Sequence, residues 1–211
     1  MPQSLSPRIR FAALATLFAV GISGCSPSDG GTAQSSAPTL PTIPFAPSTT
    51  PKAPATPEAA DYQPLLLSAA DLSDSEETFT ERSKESQPNG NPGASAFFVN
   101  DKDSRAISDT FLVYPDAATA AATLKQAAGT LPTLVAGGTP KPFAVGTDGV
   151  VISGTIPDED KSVTLVFFSE GRALVRLEFQ SASGDATTDQ FVTNVAKMQD
   201  VALRVGLAER Q

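Results

Sequence analysis

The chain has 211 residues, with 15 lysines and arginines against 23 aspartates and glutamates, and so a net charge of −8. So acidic a chain is repelled by nucleic acid and by anionic lipid head groups, and we expect neither to be a ligand. Because it has no histidine, one cysteine and no tryptophan, it cannot build a His-based triad or a His/Cys zinc site, and we expect no enzyme, no cofactor and no metal.

The N-terminus has the layout of an export signal. Residues 1–10 are basic and contain no acid, and Phe11–Ile22 is mostly apolar. Small Ser23 and Gly24 then precede Cys25, the single cysteine of the chain. A basic start, an apolar stretch and small residues at the cleavage site define such a signal. The apolar run is shorter than the roughly 20 residues of a membrane-spanning helix, so we expect it to be removed.

The four residues Ile22-Ser23-Gly24-Cys25 resemble the lipobox of bacterial lipoproteins, an aliphatic residue and two small residues before cysteine. The resemblance implies cleavage after Gly24 and attachment of diacylglycerol to the Cys25 sulfur, so residues 1–24 are the predicted signal peptide. The alternative is an ordinary secretory signal with an incidental or buried cysteine. A lone cysteine makes no internal disulfide, and several acyl chains hold a protein stably on a membrane. The predicted location is the extracytoplasmic face of the cell membrane.

Residues 25–61 form the predicted tether between the lipidated cysteine and the folded domain. The segment is rich in Pro, Ser, Thr and Ala, and seven of its prolines fall in two sets, spaced by three within each set. They are Pro38, Pro41, Pro44 and Pro47, followed by Pro51, Pro54 and Pro57. Three residues complete one turn of polyproline II, so we interpret the segment as a semi-rigid spacer. A Pro-x-x-Pro ligand for an aromatic groove is the alternative.

Residues 62–211 are long enough for one domain with its own core. Its first half predicts a short helical turn beginning at Ser68, where an acid follows three residues later. Three strands follow, at Thr78–Thr80, Ala96–Val99 and Ile107–Tyr114, where aromatic and branched residues are frequent. Between the first two, Asn89-Gly90 and two prolines mark a loop at 87–93.

A helix is predicted over Ala117–Ala128, with Asp116 as its N-cap. Gly129–Pro142 then contains glycines and prolines and is predicted to be a loop. The buried face of the helix is expected to consist of small residues and two leucines: Ala117, Ala120, Ala121, Leu124, Ala128 and Leu131.

Three consecutive strands are predicted next, at Val150–Ile156, Val163–Phe168 and Leu174–Phe179, with a tight turn at Glu170–Gly171. In the last strand, apolar side chains alternate with a face that carries Arg176. We interpret this alternation as one buried face and one largely wet face.

The closing helix is predicted from about Thr188 to Val205, with Gly206 as its stop. Its expected buried face is Phe191, Val195, Met198, Ala202 and Val205. The order of elements predicts an α+β fold, with an antiparallel sheet of about six strands and two helices packed on one face.

Two acidic clusters are candidate sites. Asp101 and Asp103 form one, and Asp158–Asp160 the other. Either could offer oxygens to Ca²⁺, and a pair of carboxylates could serve a glycosidase. Neither cluster has a complete calcium loop or a cue to a cleft, so we favour solvated turns. We expect the acids at Asp71, Asp74, Glu76 and Glu77 to form an exposed face.

Eight phenylalanines raise the possibility of a lipid cavity. They are Phe97, Phe98, Phe111, Phe143, Phe167, Phe168, Phe179 and Phe191. An ordinary core of a sheet and helices contains the same residues, and we favour the core.

The whole layout of lipobox, proline-rich tether and small acidic domain resembles cell-envelope lipoproteins of mycobacteria and related actinobacteria. Asp109–Leu124 and Val175–Leu203 are similar to strand-then-helix units of these proteins and of extracellular sensor-type domains on membrane kinases. The resemblance implies a lipid-anchored, non-enzymatic domain that binds a small molecule, an envelope component or a partner protein. The alternative function is a lipid or glycolipid carrier. Cys25 is the residue to which the resemblance assigns a role; a ligand site is not assigned.

Overall fold

The structure, a computed structural model, describes residues 60–210. Within that range the fold is α+β, as predicted, around one antiparallel sheet of seven strands. The strands are β1 Phe79–Ser86, β2 Gly93–Asn100, β3 Arg105–Val113, β4 Lys141–Pro142, β5 Thr147–Thr155, β6 Lys161–Glu170 and β7 Ala173–Ala182. The helices are α1 Ala69–Leu72, α2 Ala117–Leu134 and α3 Asp189–Ala208, with 3₁₀ turns at Gln63–Leu65 and Pro88–Gly90.

The sheet consists of two meanders joined through their last strands. Its order is β1-β2-β3-β7-β6-β5-β4, and all neighbouring strands are antiparallel. β3 pairs with β7, so the two meanders meet at the centre of the sheet, and α2 is the connection between them. The sequence predicts about six strands; the additional one is the two-residue edge strand β4.

One face of the sheet, the α3 face, carries the larger apolar core. Phe111 of β3 is paired with Val175 of β7, which is paired with Phe168 of β6, so these side chains share a face. All three belong to one buried cluster with Val195 and Leu203 of α3. The closing helix therefore packs on this side, across the centre of the sheet.

The opposite face, the α2 face, is also buried. α2 contacts β5, β6 and β7, and its Leu124 and Leu131 are buried outside the α3-face cluster. Leu165 and Phe167 of β6 lie under it, at the positions that alternate with those of the α3 face. The prediction of two helices on one face is therefore wrong. A strand that is apolar on both sides needs a cover on each.

A segment that we call the strap, Tyr62–Leu72, lies at the start of the domain on the α3 face. Its Leu65, Leu66 and Leu67 are buried in the same cluster as α3. It ends in the helical turn predicted at Ser68, where the Ser68 backbone N–H donates to Asp71 Oδ2 at 2.8 Å. The hydrogen bonds from Ser68 lower the pKa of Asp71.

Both long helices extend beyond their predicted ends. α2 continues through Gly129 and Pro132 to Leu134, over residues predicted to be a loop. α3 passes through Gly206 to Ala208. The predicted buried face of α3 is also rotated, because Val205 is 56% exposed whereas Val192, Ala196, Leu203 and Leu207 are buried.

The prediction of one largely wet face on the last strand, β7, is also wrong. Leu174 and Glu178 of β7 are buried and Arg176 is half-buried, because α2 covers this side of β7. Five of the eight phenylalanines are fully buried between the sheet and its covers: Phe98, Phe111, Phe167, Phe168 and Phe179. Across residues 60–210, the helices fall short of the length and apolar character needed to cross a membrane.

Candidate functional site

The residues predicted to carry the anchor, Gly24 and Cys25, lie outside the described residues. The signal peptide, the lipidation and most of the tether therefore stay predictions from the sequence. The structure begins to describe the chain where the tether reaches the domain, at residue 60.

The predicted acidic turns are spread over the surface. Asp101 is exposed, and Asp103 lies 3.5 Å from Arg82 as an exposed ion pair. In the turn at 158–160, Glu159 pairs with Lys161 at 2.7 Å. Among residues 60–210, there is no group of three or more acidic or cysteine side chains placed to hold a metal ion.

The acids at 71–77 mostly organise their own turn. Asp74 Oδ1 accepts the backbone N–H groups of Glu76 and Glu77 at 2.8 and 2.9 Å, and these bonds lower the pKa of Asp74. Glu77 pairs with Arg105 at 3.4 Å, and Arg105 also pairs with Asp185 at 2.8 Å. Asp74, Glu77 and Arg105 line a depression of about 200 Å³ beside α3, in which the charge of the arginine is already neutralised by its ion pairs.

The α3 groove, a cleft of about 490 Å³, lies on the other flank of α3, toward the end of the sheet. One wall is built from β4, β5 and the loop after α2, and the other from the first turns of α3. Its lining residues are Gly137, Gly138, Thr139, Lys141, Phe143, Val151, Ser153, Asp189, Val192 and Thr193.

Glycines allow the loop to form this wall. Ala136 pairs with Thr155 as an isolated bridge, and a Cβ on the neighbouring Gly154 would lie 2.2 Å from the Ala136 carbonyl oxygen. A Cβ on Gly138 would lie 2.4 Å from the Ser153 carbonyl oxygen. A larger residue at either position would push the loop away from β5, so this close approach fixes the shape of the groove.

The polar groups of the groove are arranged by their own hydrogen bonds. The buried Thr164 hydroxyl is hydrogen-bonded to the Ser153 hydroxyl at 3.0 Å, which fixes the position of Ser153 in the wall. The Thr193 hydroxyl donates to the Asp189 carbonyl oxygen at 2.7 Å, which leaves its oxygen free to accept. Lys141 and Asp189 are exposed at the rim.

Two acids outside the groove have raised pKa values. Burial raises the pKa of Asp109 to about 7, and this fully buried carboxyl lies beneath the strap. Desolvation, with a hydrogen bond to the Asp200 side chain, raises the pKa of Glu170. Asp200 in turn pairs with Arg204 at 2.6 Å. Neither acid lines the α3 groove, and each connects structural elements.

The residues of the groove were not predicted from the sequence. The 129–142 segment was predicted to be a loop and Val150–Ile156 a strand, but nothing in the pattern showed that α3 lies beside them. The available signal was local: glycines at 149 and 154 within a strand indicate close approach of another backbone.

Comparison with known proteins adds little. No protein-family model matches the chain, and no curated protein matches it. The extracellular domain of PknH from Mycobacterium tuberculosis is similar in structure, with 12% identity and a TM-score of 0.47 over 65% of this chain and 92% of that one. A likeness of this size supports no inference about function.

Proposed function

We propose that this chain is a lipid-anchored extracytoplasmic protein whose domain binds a ligand in the α3 groove without catalysis. The anchor rests on the sequence Ile22-Ser23-Gly24-Cys25. The observation that carries the binding role is the groove itself. Its volume, about 490 Å³, falls in the range of roughly 300–1,000 Å³ typical of ligand pockets.

The groove suits binding better than chemistry. Its titratable residues are Lys141 and Asp189, both exposed at the rim, and within residues 60–210 its lining contains no cysteine, no histidine and no second carboxylate to form an acid–base pair. Its polar walls suit the lipid-carrier alternative less well, because acyl chains require an apolar lining. The five fully buried phenylalanines support the same choice, since they fill the core.

The anchor is tested with Cys25→Ala, compared with Ser26→Ala in the same expression host. We expect the cysteine variant to remain unprocessed or to leave the membrane fraction, because it has no sulfur to carry diacylglycerol. The Ser26→Ala variant should be processed and retained like the wild type. Unchanged mass and membrane retention of Cys25→Ala would contradict the lipobox.

The binding role is tested by filling the groove. Thr139→Trp places a large side chain at an exposed lining position, and Thr133→Trp places the same side chain on exposed α2 surface outside the groove. The full chains are purified from membranes and examined by native mass spectrometry. We expect an additional bound mass on the wild type and on Thr133→Trp that Thr139→Trp lacks. Equal retention by both variants would place the ligand elsewhere.

A further inference from the structure

The two walls of the α3 groove offer opposite hydrogen-bonding roles. On the sheet side, Lys141 presents an ammonium, which can only donate, beside the hydroxyl of Ser153. On the helix side, Asp189 presents a carboxylate, and Thr193 presents an oxygen whose own proton is used within α3. A ligand that spans the groove must therefore accept on one side and donate on the other.

The floor between these walls is apolar. Val192 is buried, while Phe143 and Val151 are half-buried and pack against the α3-face cluster. A flat ring with an apolar face can cover this floor while its edges reach the walls. The ligand therefore needs an apolar face and a polar edge.

The charges of the groove are balanced and remain in water. Lys141 and Asp189 have opposite signs and are both exposed, so the groove has no net field that would select an anion or a cation. Charges that stay hydrated contribute little to binding a charged group. Net charge on the ligand is thus not what the groove recognises.

We infer that the α3 groove binds a neutral saccharide, with the sugar ring over Phe143 and Val151 and its hydroxyls between the donor and acceptor walls. A sugar hydroxyl both donates and accepts, and the C–H groups of a pyranose form an apolar face. The inference rests on the proposed binding function, for which it names the class of ligand.

Two other small-molecule classes fit less well. A fatty acid would leave the polar groups of both walls without partners, which is costly when they are covered. A zwitterionic amino acid could pair with Lys141 and Asp189, but these groups are exposed, and it would fill only part of a cleft of about 490 Å³.

The test is calorimetric titration of the full chain with maltose, trehalose, cellobiose and N,N′-diacetylchitobiose, with glycine, lysine and palmitate as contrasting probes. We expect a saccharide to bind. Ser153→Ala and Thr193→Val should each weaken that binding about fivefold, because each removes one hydrogen bond. Thr123→Val is the matched control, since its hydroxyl makes the same bond to the carbonyl four residues earlier on α2 at 2.9 Å. Melting temperatures show that each variant is folded.

Substitutions that remove the two charges of the groove distinguish a neutral saccharide from a zwitterion. Lys141→Gln keeps a donor and Asp189→Asn keeps an acceptor, so a neutral sugar should lose less than about threefold, whereas a zwitterion held by both charges should lose more than tenfold. If glycine, lysine or palmitate binds, no saccharide binds, and the groove variants weaken that binding, then the groove is the binding site but its ligand is not a saccharide. If no probe binds, or if binding ignores Ser153 and Thr193, the saccharide inference is overturned. Retention of a bound mass by Thr139→Trp in native mass spectrometry would separately overturn the groove.

Discussion

The two faces of the sheet are covered by helices that pack in different ways. α2 lies on its face through small residues, with Ala120 and Ala127 beside Leu124 and Leu131. On the other face, α3 shares the sheet with the strap, and Leu65 lies directly against Gly206 of the helix. A helix that shares its face cannot cover that face completely, and the grooves flank α3.

The faces also differ in how buried polar groups are used. On the α3 face, Asp109 Oδ2 accepts the Leu67 backbone N–H at 3.5 Å, and Gln199 Nε2 donates to the Leu65 carbonyl oxygen at 3.0 Å. The strap lies outside the sheet ladder, so its buried backbone needs side-chain partners. On the α2 face the buried polar groups bond to one another, as Arg176 does to Glu178. The α3 face is therefore the one on which a buried carboxyl group holds the backbone of a segment outside the sheet.

The largest expected effect comes from Asp109→Asn. The pKa of Asp109 is raised to about 7 by burial, with Lys84 on β1 as the charged group acting against it. Between pH 4 and 7 the Asp109 carboxyl is therefore protonated in the folded protein, whereas it is ionised in the unfolded chain. The free energy of unfolding falls across this window, by roughly 4 kcal/mol at most. Asparagine stays neutral at every pH, so the variant does not lose this free energy of unfolding. It therefore gains stability relative to wild type as pH rises.

The measurement is urea unfolding of both proteins at pH 4.5, 6 and 8. The difference between variant and wild type cancels the shared titrations of Glu170, Asp71 and Asp116. A difference that is the same at all three pH values would show that Asp109 is not protonated in the folded state.

Glycine-to-alanine substitutions in the two helices should have opposite signs. A Cβ on Gly206 of α3 would lie 2.1 Å from Leu65 Cδ2, whereas Gly129 of α2 has no atom within 4 Å of that position. Gly129→Ala should stabilise the protein by about 0.5–1 kcal/mol through helix propensity. Gly206→Ala gains the same propensity but overpacks a buried leucine, and should destabilise by about 1–2 kcal/mol.

Thermal and urea unfolding measure both variants. Adding Leu65→Ala to Gly206→Ala should remove the clash, so the pair should show a favourable coupling in a double-mutant cycle. Stabilisation by Gly206→Ala alone would mean that the strap yields to the helix, and that the two are not tightly packed.

The sequence predicted most of the elements because each has strong local signals. Asp116 caps α2 as predicted, and the strand predicted at Val163–Phe168 forms the centre of β6. Its four consecutive apolar residues, Leu165–Phe168, were also the signal for burial on both faces, since such a run has no side left for water. A strand that is buried on both faces needs a helix on each side of the sheet, and no local pattern shows that two helices lie there.

Tertiary contacts determine which side of α3 is buried and how far α2 extends. Gln199 is fully buried and donates to the strap, so the buried face of α3 is rotated from the one that apolar spacing predicted, although Val195 belongs to both. α2 continues past Gly129 and Pro132 because its Leu131 is buried on the side of the helix that contacts the sheet. The α3 groove was beyond prediction for the same reason: it is formed by a loop and a helix that are distant in sequence.

The smallest expected effect is at the helix caps, and it again separates the two helices. Thr188 Oγ1 accepts the Phe191 N–H at 3.3 Å, a long bond, so Thr188→Ala should cost α3 only about 0.5 kcal/mol. Asp116 Oδ1 accepts the Thr119 N–H at 2.7 Å, and that bond lowers the pKa of Asp116. Asp116→Ala should therefore destabilise the protein more than Thr188→Ala at pH 7.

Titration distinguishes the two caps. The contribution of Asp116 is present above the pKa of the unfolded carboxyl, 3.8, and is lost as pH falls through the lower folded pKa; Thr188 does not titrate. Unfolding measured at pH 7 and pH 2.5 should show the Asp116→Ala deficit shrinking while that of Thr188→Ala stays constant. A deficit at Asp116 that persists at pH 2.5 would assign its role to the shape of the turn, because the charge would then contribute nothing.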